Sequence, residues 1–242
     1  MVCANRHSFD IARSGYVNLL QPQERRSKVP GDSKEAVTAR RRWIESGHEP
    51  SIMSVLGREA LSPALDVGCG EGSHLAALNP EEGHGIDLSV PAIALAARSW
   101  PQYQWIVANA DRFLPYADRS FATVLSITSR LNPTEFRRVM RDDGRLLIAL
   151  TAPDDLREVR TILHGQATER DRVQRTIDMF APHFTPVKQE RVTTRATLTV
   201  DDIANVLASS YRGSRHREKE RLGEIDTLEV TLSRDLLLFR AS

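Results

Sequence analysis

The sequence predicts an α/β fold: a Rossmann-like, mainly parallel sheet of seven strands. Short apolar runs alternate with helical segments from residue 64 onward, and a glycine-rich turn follows the first run. Strands that alternate with helices imply right-handed crossovers and a parallel sheet. The predicted strands are 64–67, a segment ending at 85–87, 103–108, 121–127, 145–150, 187–200 and 228–239.

The predicted helices precede the first strand or connect later ones. Asp32 is expected to cap a helix that runs to about Ser46, with Glu35 completing a capping box. Asp201 and Asp202 are expected to cap a late helix. The other predicted helices are about 49–59, 71–78, 91–99, 133–141 and 202–209, with one or two over 155–180. Residues 1–31 are polar and irregular, and form a small N-terminal appendage.

Length and composition restrict the class of protein. The 242 residues fit one α/β domain with an appendage. No apolar run approaches the roughly 18–20 residues of a membrane-spanning helix. Residues 1–10 lack the apolar stretch of a secretory signal, and Cys3 and Cys69 cannot form a disulfide framework. The sequence therefore predicts a cytoplasmic protein.

Charge is distributed unevenly along the chain. The formal net charge is only +1, but basic residues cluster at 25–28, 40–42 and 212–221. Each cluster is compatible with an ordinary solvated surface. Three clusters outside the predicted catalytic core also suit a polyanionic partner.

The turn after the first predicted strand is the candidate cofactor site. It reads Asp66-Val67-Gly68-Cys69-Gly70-Glu71-Gly72, and its glycines let the backbone turn tightly beside a ligand. A dinucleotide site would need its third glycine at position 73, which is serine. Glu71 would repel a pyrophosphate and attract a sulfonium or ammonium group. The loop therefore favours S-adenosylmethionine (SAM) over a dinucleotide.

Polar residues after the next two strands extend this site. Asp87 ends the second strand, where its carboxylate can accept both ribose hydroxyls; its alternative role is a helix cap. The segment after the third strand, with Asn109, Ala110 and Asp111, is predicted to meet the adenine edge. No residue is predicted to be catalytic, because methyl transfer mainly requires alignment of donor and acceptor.

The N-terminal region carries a more specific pattern. It contains Cys3-x3-His7-Ser8-Phe9-Asp10, Gly15-Tyr16-Val17-Asn18-Leu19-Leu20, Pro30-Gly31-Asp32-Ser33, Ala39-Arg40-Arg41 and Gly47-His48, with Ala181-Pro182-His183-Phe184 near the end. Together with the glycine-rich loop, these residues resemble the bacterial 23S rRNA (guanine-N1)-methyltransferases, which include the tylosin and mycinamicin (macrolide) resistance enzymes. The resemblance covers essentially the whole chain.

The resemblance implies a class I methyltransferase sheet and a guanine in a 23S rRNA hairpin as the acceptor. It makes residues 1–31 the remnant of a zinc-ribbon-like RNA-binding region and residues 32–242 the SAM-dependent domain. Arg25, Arg26, Arg40 and Arg41 are the predicted RNA contacts, with Tyr16 either stacking on a base or packing in the core.

The chain departs from the family pattern at several positions. Only Cys3 and His7 remain of a zinc set that needs four ligands, so zinc is doubtful: either the true start lies upstream or the metal has been lost. Near the expected reaction centre, Glu49 replaces a tyrosine, and Thr128-Ser129-Arg130 replaces an aromatic-Ala-Pro motif. Asp155 replaces a histidine, and Ser209-Ser210-Tyr211-Arg212 replaces a late proline-containing motif.

Three functions stay open on the sequence. The first is methylation of guanine N1 in rRNA, the second is methylation of a small molecule, and the third is non-catalytic binding of RNA or cofactor. RNA binding should weaken steeply with ionic strength, whereas small-molecule binding should not. The oligomeric state is open, with a homodimer possible.

Overall fold

A computed structural model of the chain describes residues 9, 11–20, 30–49, 51–165, 171–209 and 226–242. Within this part, eight strands form one sheet in the order β1-β4-β3-β2-β5-β6-β8-β7. The first six run parallel, and β8 is antiparallel to both of its neighbours. The strands are β1 (Val17–Asn18), β2 (Ala64–Val67), β3 (Gly83–Asp87), β4 (Gln104–Val107), β5 (Phe121–Ile127), β6 (Met140–Thr151), β7 (Phe184–Thr199) and β8 (Thr227–Ala241).

The predicted fold class is confirmed, and all seven predicted strands are present. The eighth strand, β1, lies in the segment predicted to be irregular. It pairs in parallel with β4, with Val17 opposite Ile106. Two residues are too few to show a period of two, so the sequence pattern does not reveal this strand. β6 also begins earlier than predicted, at Met140.

Eight helices are described: α1 (Lys34–Glu45), α2 (Ile52–Leu56), α3 (Ser73–Leu78), α4 (Val90–Ser99), α5 (Pro133–Val139), α6 (Arg157–His164), α7 (Val173–Phe180) and α8 (Val200–Ala208). The stretch 155–180 thus contains two helices. α2 is much shorter than the predicted 49–59. None of these described helices is long and apolar enough to cross a membrane.

Two helix caps differ from the prediction. Ser33, not Asp32, caps α1, and its hydroxyl accepts a hydrogen bond from the amide of Ala36 at 3.3 Å. Thr199, not Asp201 or Asp202, caps α8 and forms a capping box with Asp202. Both caps have the extended backbone that an N-cap requires. Ser33 is the residue directly after Asp32, whereas Thr199 lies two residues before Asp201.

Helices cover both faces of the sheet. Successive strand residues point to opposite sides, so the apolar residues of the central strands need cover on each face. On one face, Leu65 and Val124 belong to a cluster with Phe136 of α5 and Phe180 of α7. On the other face, the neighbouring strand residues pack against α2, α3 and α4. The central strands are therefore buried on both sides, as is typical of parallel sheets.

The β7–β8 ribbon continues past the carboxyl end of β6 and forms a third packing centre. β6 ends with Thr151 opposite Arg234, while the preceding residues of β8 pair with β7 alone. Trp43 of α1 packs against this ribbon, α6 and α8, and is 1% exposed. Trp43 therefore packs the N-terminal helix α1 onto the core.

Replacing Trp43 with alanine is expected to lower the free energy of unfolding by about 3–5 kcal/mol, the usual cost of emptying a buried aromatic site. Trp43→Phe is the matched control, because the indole Nε1 is buried without a hydrogen-bond partner in the described residues. It should cost clearly less. Urea unfolding followed by circular dichroism measures both. Coincident curves for wild type and Trp43→Ala would contradict the docking of α1.

Candidate functional site

The candidate site lies where the strand order reverses direction. From central β2 the chain builds β3 and β4 on one side, then crosses to β5 on the other side. Ligands of open α/β sheets bind in the crevice outside the carboxyl ends of the strands at such a point. Here the crevice is flanked by residues 68–72 after β2 and 128–132 after β5. Asp87 ends β3, and Asn109 follows β4.

Glycine is needed at the three positions of the loop for different structural reasons. Gly68, Gly70 and Gly72 all adopt positive φ, at +76°, +55° and +84°. A Cβ on Gly68 would lie 2.4 Å from the Cβ of Ser129, and one on Gly72 would lie 2.4 Å from the ring of Trp105. A Cβ on Gly70 would meet nothing within 4 Å. Two glycines therefore permit close packing, while the third leaves open space above the loop.

Asp87 ties the loop to the end of β3. One carboxylate oxygen accepts a hydrogen bond from the amide of Gly70 at 3.0 Å, and the other accepts from the amide of Ser89 at 2.7 Å. Burial raises the pKa of Asp87, although these two bonds lower it. The N-cap of α4 is Ser89 rather than Asp87. Each oxygen of Asp87 retains acceptor capacity, so the predicted contact with ribose hydroxyls stays open.

Asp66 is the most unusual group of the site. It is 1% exposed, and neither carboxylate oxygen has a hydrogen-bond partner in the described residues. Burial raises the pKa of Asp66 to about 7. The nearby charges of Asp87 and Glu71 also raise this pKa, whereas His74 lowers it. Glu71 is itself buried. A carboxylate in such a place is stabilised by a cation that approaches it.

Asn109 and Ala110 order the segment after β4. The side-chain oxygen of Asn109 accepts a hydrogen bond from the amide of Asp111 at 3.1 Å. The carbonyl of Ala110 accepts from the side-chain amide of Asn132 at 3.2 Å. The segment is thereby fixed against the loop that follows β5. Its predicted role at the adenine edge is compatible with this position and is not tested by it.

Glu49 and His74 form a contact that sequence reasoning missed. The Nε2 of His74 lies 3.2 Å from one carboxylate oxygen of Glu49, and a guanidinium nitrogen of Arg40 lies 3.5 Å from the other. Burial raises the pKa of Glu49, but His74, Arg40 and Arg234 together lower it to about 2. His74 lies two residues after Gly72, so this contact joins the segment between α1 and α2 to the cofactor loop.

Ser129 connects the two loops across the crevice. Its hydroxyl donates a hydrogen bond to the carbonyl of Val67 at 2.6 Å and lies 2.8 Å from the hydroxyl of Ser126. The preceding residue, Thr128, has φ +51°, a costly conformation for a β-branched residue. The sequence identified 128–130 as a departure from the family, but not this contact.

Of the arginines predicted to contact RNA and the predicted metal ligands, only Arg40 and Arg41 lie within the described residues. Arg41 pairs with Glu45 at 2.6 Å, and Arg40 turns toward Glu49. Cys3, His7, Arg25 and Arg26 lie outside the described residues, and their roles stay predictions. Within the described ranges, no group of three or more His, Cys, Asp or Glu side chains is arranged to hold a metal ion.

Replacing Asp66 with asparagine is expected to stabilise the fold above pH 7. The unfolded chain ionises Asp66 near its ordinary pKa of 3.8, whereas the folded chain retains the proton up to about pH 7. The cost that ionised Asp66 imposes on folding is therefore absent below pH 4, grows between pH 4 and 7, and reaches on the order of 4 kcal/mol above that. Urea unfolding of both proteins from pH 4 to 8 measures the difference. A difference independent of pH would contradict an unpaired buried carboxylate.

Comparison with known proteins extends these observations. The family model described as RlmA, N-terminal (a zinc ribbon) matches residues 1–28, and the model described as Methyltransferase domain matches residues 64–147. Two solved structures share the fold. The YcgJ protein of Bacillus subtilis has a TM-score of 0.55 at 15% identity, covering 78% of this chain and 97% of its own. A SAM-dependent methyltransferase from Thiobacillus denitrificans, in complex with S-adenosyl-L-homocysteine, has a TM-score of 0.50 at 15% identity, covering 83% and 97%.

A relative in Streptomyces fradiae is similar along nearly its whole length. It is named 23S rRNA (guanine(748)-N(1))-methyltransferase and is 36% identical, covering 96% of this chain and 87% of its own. Identity at this level over both N-terminal segment and sheet goes beyond a shared fold. The resemblance stated from the sequence is confirmed, and the chain belongs to the bacterial 23S rRNA (guanine-N1)-methyltransferase family.

Proposed function

We propose that the chain transfers a methyl group from SAM to N1 of a guanine in a 23S rRNA hairpin. One observation carries the choice of acceptor: the similarity to the Streptomyces fradiae enzyme includes the N-terminal segment as well as the sheet. A methyltransferase sheet alone would not specify an acceptor, because function depends on sites added to a fold. A link to macrolide resistance stays a prediction.

The carboxyl edge of the sheet fits SAM chemically. Asp66 has two buried oxygens without partners in the described residues, and Gly70 leaves open space above the loop. In our proposal the loop and Asp66 hold the methionine part, Asp87 accepts the ribose hydroxyls, and residues 109–110 border the adenine. When bound, SAM supplies a methyl group on a cationic sulfur that departs as a neutral thioether.

The residues of the chain act mainly by positioning. Ser129 fixes the loop after β5 against the end of β2, so the two walls of the crevice keep a set separation. The contact of Glu49 with His74 fixes the segment before α2 beside α3. Alignment of two reactants in this way can supply a large part of a rate enhancement. No side chain is assigned as a general base.

The acceptor side of the proposal lies toward the N-terminus. We propose residues 1–31 as the remnant of an RNA-binding region and residues 32–242 as the catalytic domain. Arg25, Arg26 and Arg41 are proposed contacts to phosphates. Because such contacts release counterions, RNA binding should weaken as salt is raised.

The direct test is transfer of labelled methyl from SAM to 23S rRNA isolated from a strain that lacks the modification. We expect label at N1 of one guanine, located by a primer-extension stop. The absence of label at any purine would refute the acceptor class. Retention of SAM binding with label on a small molecule would favour the alternative acceptor.

Asp87→Ala is expected to reduce methyl transfer at least about tenfold, because it removes the acceptor of the Gly70 amide. Asp142→Ala is the matched control: that carboxylate is exposed and pairs with Arg137 away from the crevice. Its activity should equal that of the wild type. Equal loss in both variants would show that the effect is not local.

SAM affinity is expected to rise about tenfold from pH 6 to pH 8 in the wild type. A bound cation favours ionised Asp66, whose pKa is about 7 in the free protein, so binding below that pH must release one proton. Asp66→Asn should bind SAM more weakly and without this pH dependence. Isothermal titration in buffers of different ionisation enthalpy counts the protons. The same pH dependence in both proteins would exclude Asp66 as its source.

A further inference from the structure

Three consecutive arginines of α1 leave the helix in different directions. Arg42 is exposed. Arg41 pairs with Glu45 and donates to the hydroxyl of Ser99. Arg40 points toward the crevice, where its side chain is 24% exposed and lies beside Glu49. The geometry of the helix requires this divergence, because adjacent residues cannot share one face.

The guanidinium of Arg40 has unused hydrogen-bonding capacity. A guanidinium carries five N–H donors. Among the described residues, Arg40 makes one ion pair, to Glu49 at 3.5 Å, and no hydrogen bond from its side chain. That distance is longer than an ordinary charge-assisted hydrogen bond. The other oxygen of Glu49 is already occupied by His74. A largely covered cation with free donors is a site for a further anion.

The position of Arg40 places that anion at the candidate cofactor site. Its partner Glu49 lies 3.2 Å from His74, which follows the glycine-rich loop two residues after Gly72. Burial raises the pKa of Asp66 and of Asp32, and from this position the charge of Arg40 acts on both carboxyls to lower it. The segment at 31–32 is in turn held against α4, since the hydroxyl of Ser89 donates to the carbonyl of Asp32 at 2.7 Å. Arg40 therefore faces the same group of carboxylates that is proposed to bind the cationic parts of the cofactor.

We propose that Arg40 binds the α-carboxylate of SAM. SAM carries two cationic groups and one anionic group, and the acidic residues of the crevice suit only the cationic ones. Arginine matches a carboxylate through two parallel N–H bonds. The inference rests on the proposed function only in requiring SAM as the ligand. It assigns Arg40 to the cofactor, whereas the sequence predicted an RNA contact.

The test compares SAM with decarboxylated SAM, which differs only by lacking the carboxylate. Binding is measured by isothermal titration, without RNA. SAM should bind the wild type about 10- to 100-fold more tightly than it binds Arg40→Ala, because the variant loses a charge-assisted pair. Decarboxylated SAM should bind Arg40→Ala as well as or better than wild type, because a repelling charge has been removed from beside a purely cationic ligand.

Two further variants sharpen the result. Arg40→Lys retains the charge but not the planar fork, so its affinity for SAM should lie between wild type and Arg40→Ala. Arg42→Ala removes an exposed charge from the same helix and should change the affinity for neither ligand. Circular dichroism and thermal unfolding confirm that each variant is folded before titration.

The outcomes separate the two proposals. Equal weakening of both ligands by Arg40→Ala would show that Arg40 only holds Glu49, which overturns the inference. If the substitution prevents folding, the Arg40→Lys comparison takes its place, and an unchanged preference for SAM over decarboxylated SAM overturns the inference. A wild type that binds neither ligand refutes the proposed function itself. If the wild type methylates rRNA and Arg40→Ala keeps the wild-type preference for SAM over decarboxylated SAM, the proposed function stands and Arg40 is not part of the cofactor site.

Discussion

The buried, unpaired carboxylate of Asp66 is the constraint around which the rest of the crevice is arranged. Its environment costs stability, because burial raises the pKa of Asp66 to about 7. Core packing offers no compensation, since neither oxygen has a partner in the described residues. Such a cost is typical of residues kept for a ligand. In the proposed function, the cationic cofactor offsets this cost when it binds beside Asp66.

The packing outside the methyltransferase sheet determines what else can reach that carboxylate. Trp43 anchors α1 on the β7–β8 ribbon, which extends beyond the carboxyl end of β6. Arg40 lies about one turn before Trp43 on a neighbouring part of the helix surface, and its guanidinium lies beside Glu49. Glu49 then joins this helix to α3 through His74. The apolar cluster and the polar contact act together: the first fixes the helix, and the second fixes the segment that follows it.

The sequence predicts the strands better than the contacts. β2 and β5 have their predicted bounds because each is a short, mainly apolar run followed by glycine or polar residues. β1 escapes prediction, since two residues have no periodicity. The predicted cap of α1 lies one residue too early and that of α8 two residues too late, because acid and hydroxyl residues stand close together in both segments. The backbone angles that distinguish them cannot be read from the residue types. The contact of Glu49 with His74 joins residues 25 positions apart, so no local pattern could indicate it.

Two positions at which the resemblance predicts a departure from the family pattern make polar contacts in the structure. Glu49, at the position where an aromatic residue is expected for the family, contacts both His74 and Arg40. Ser129 stands in the stretch that replaces the aromatic-Ala-Pro motif, and its hydroxyl bridges the two loops. Apolar packing is insensitive to charge, whereas the contact of Glu49 with His74 and Arg40 depends on it. In the proposed function, the side of the crevice that Asp66 and Glu49 line would therefore respond to protonation and to the charge of the bound ligand.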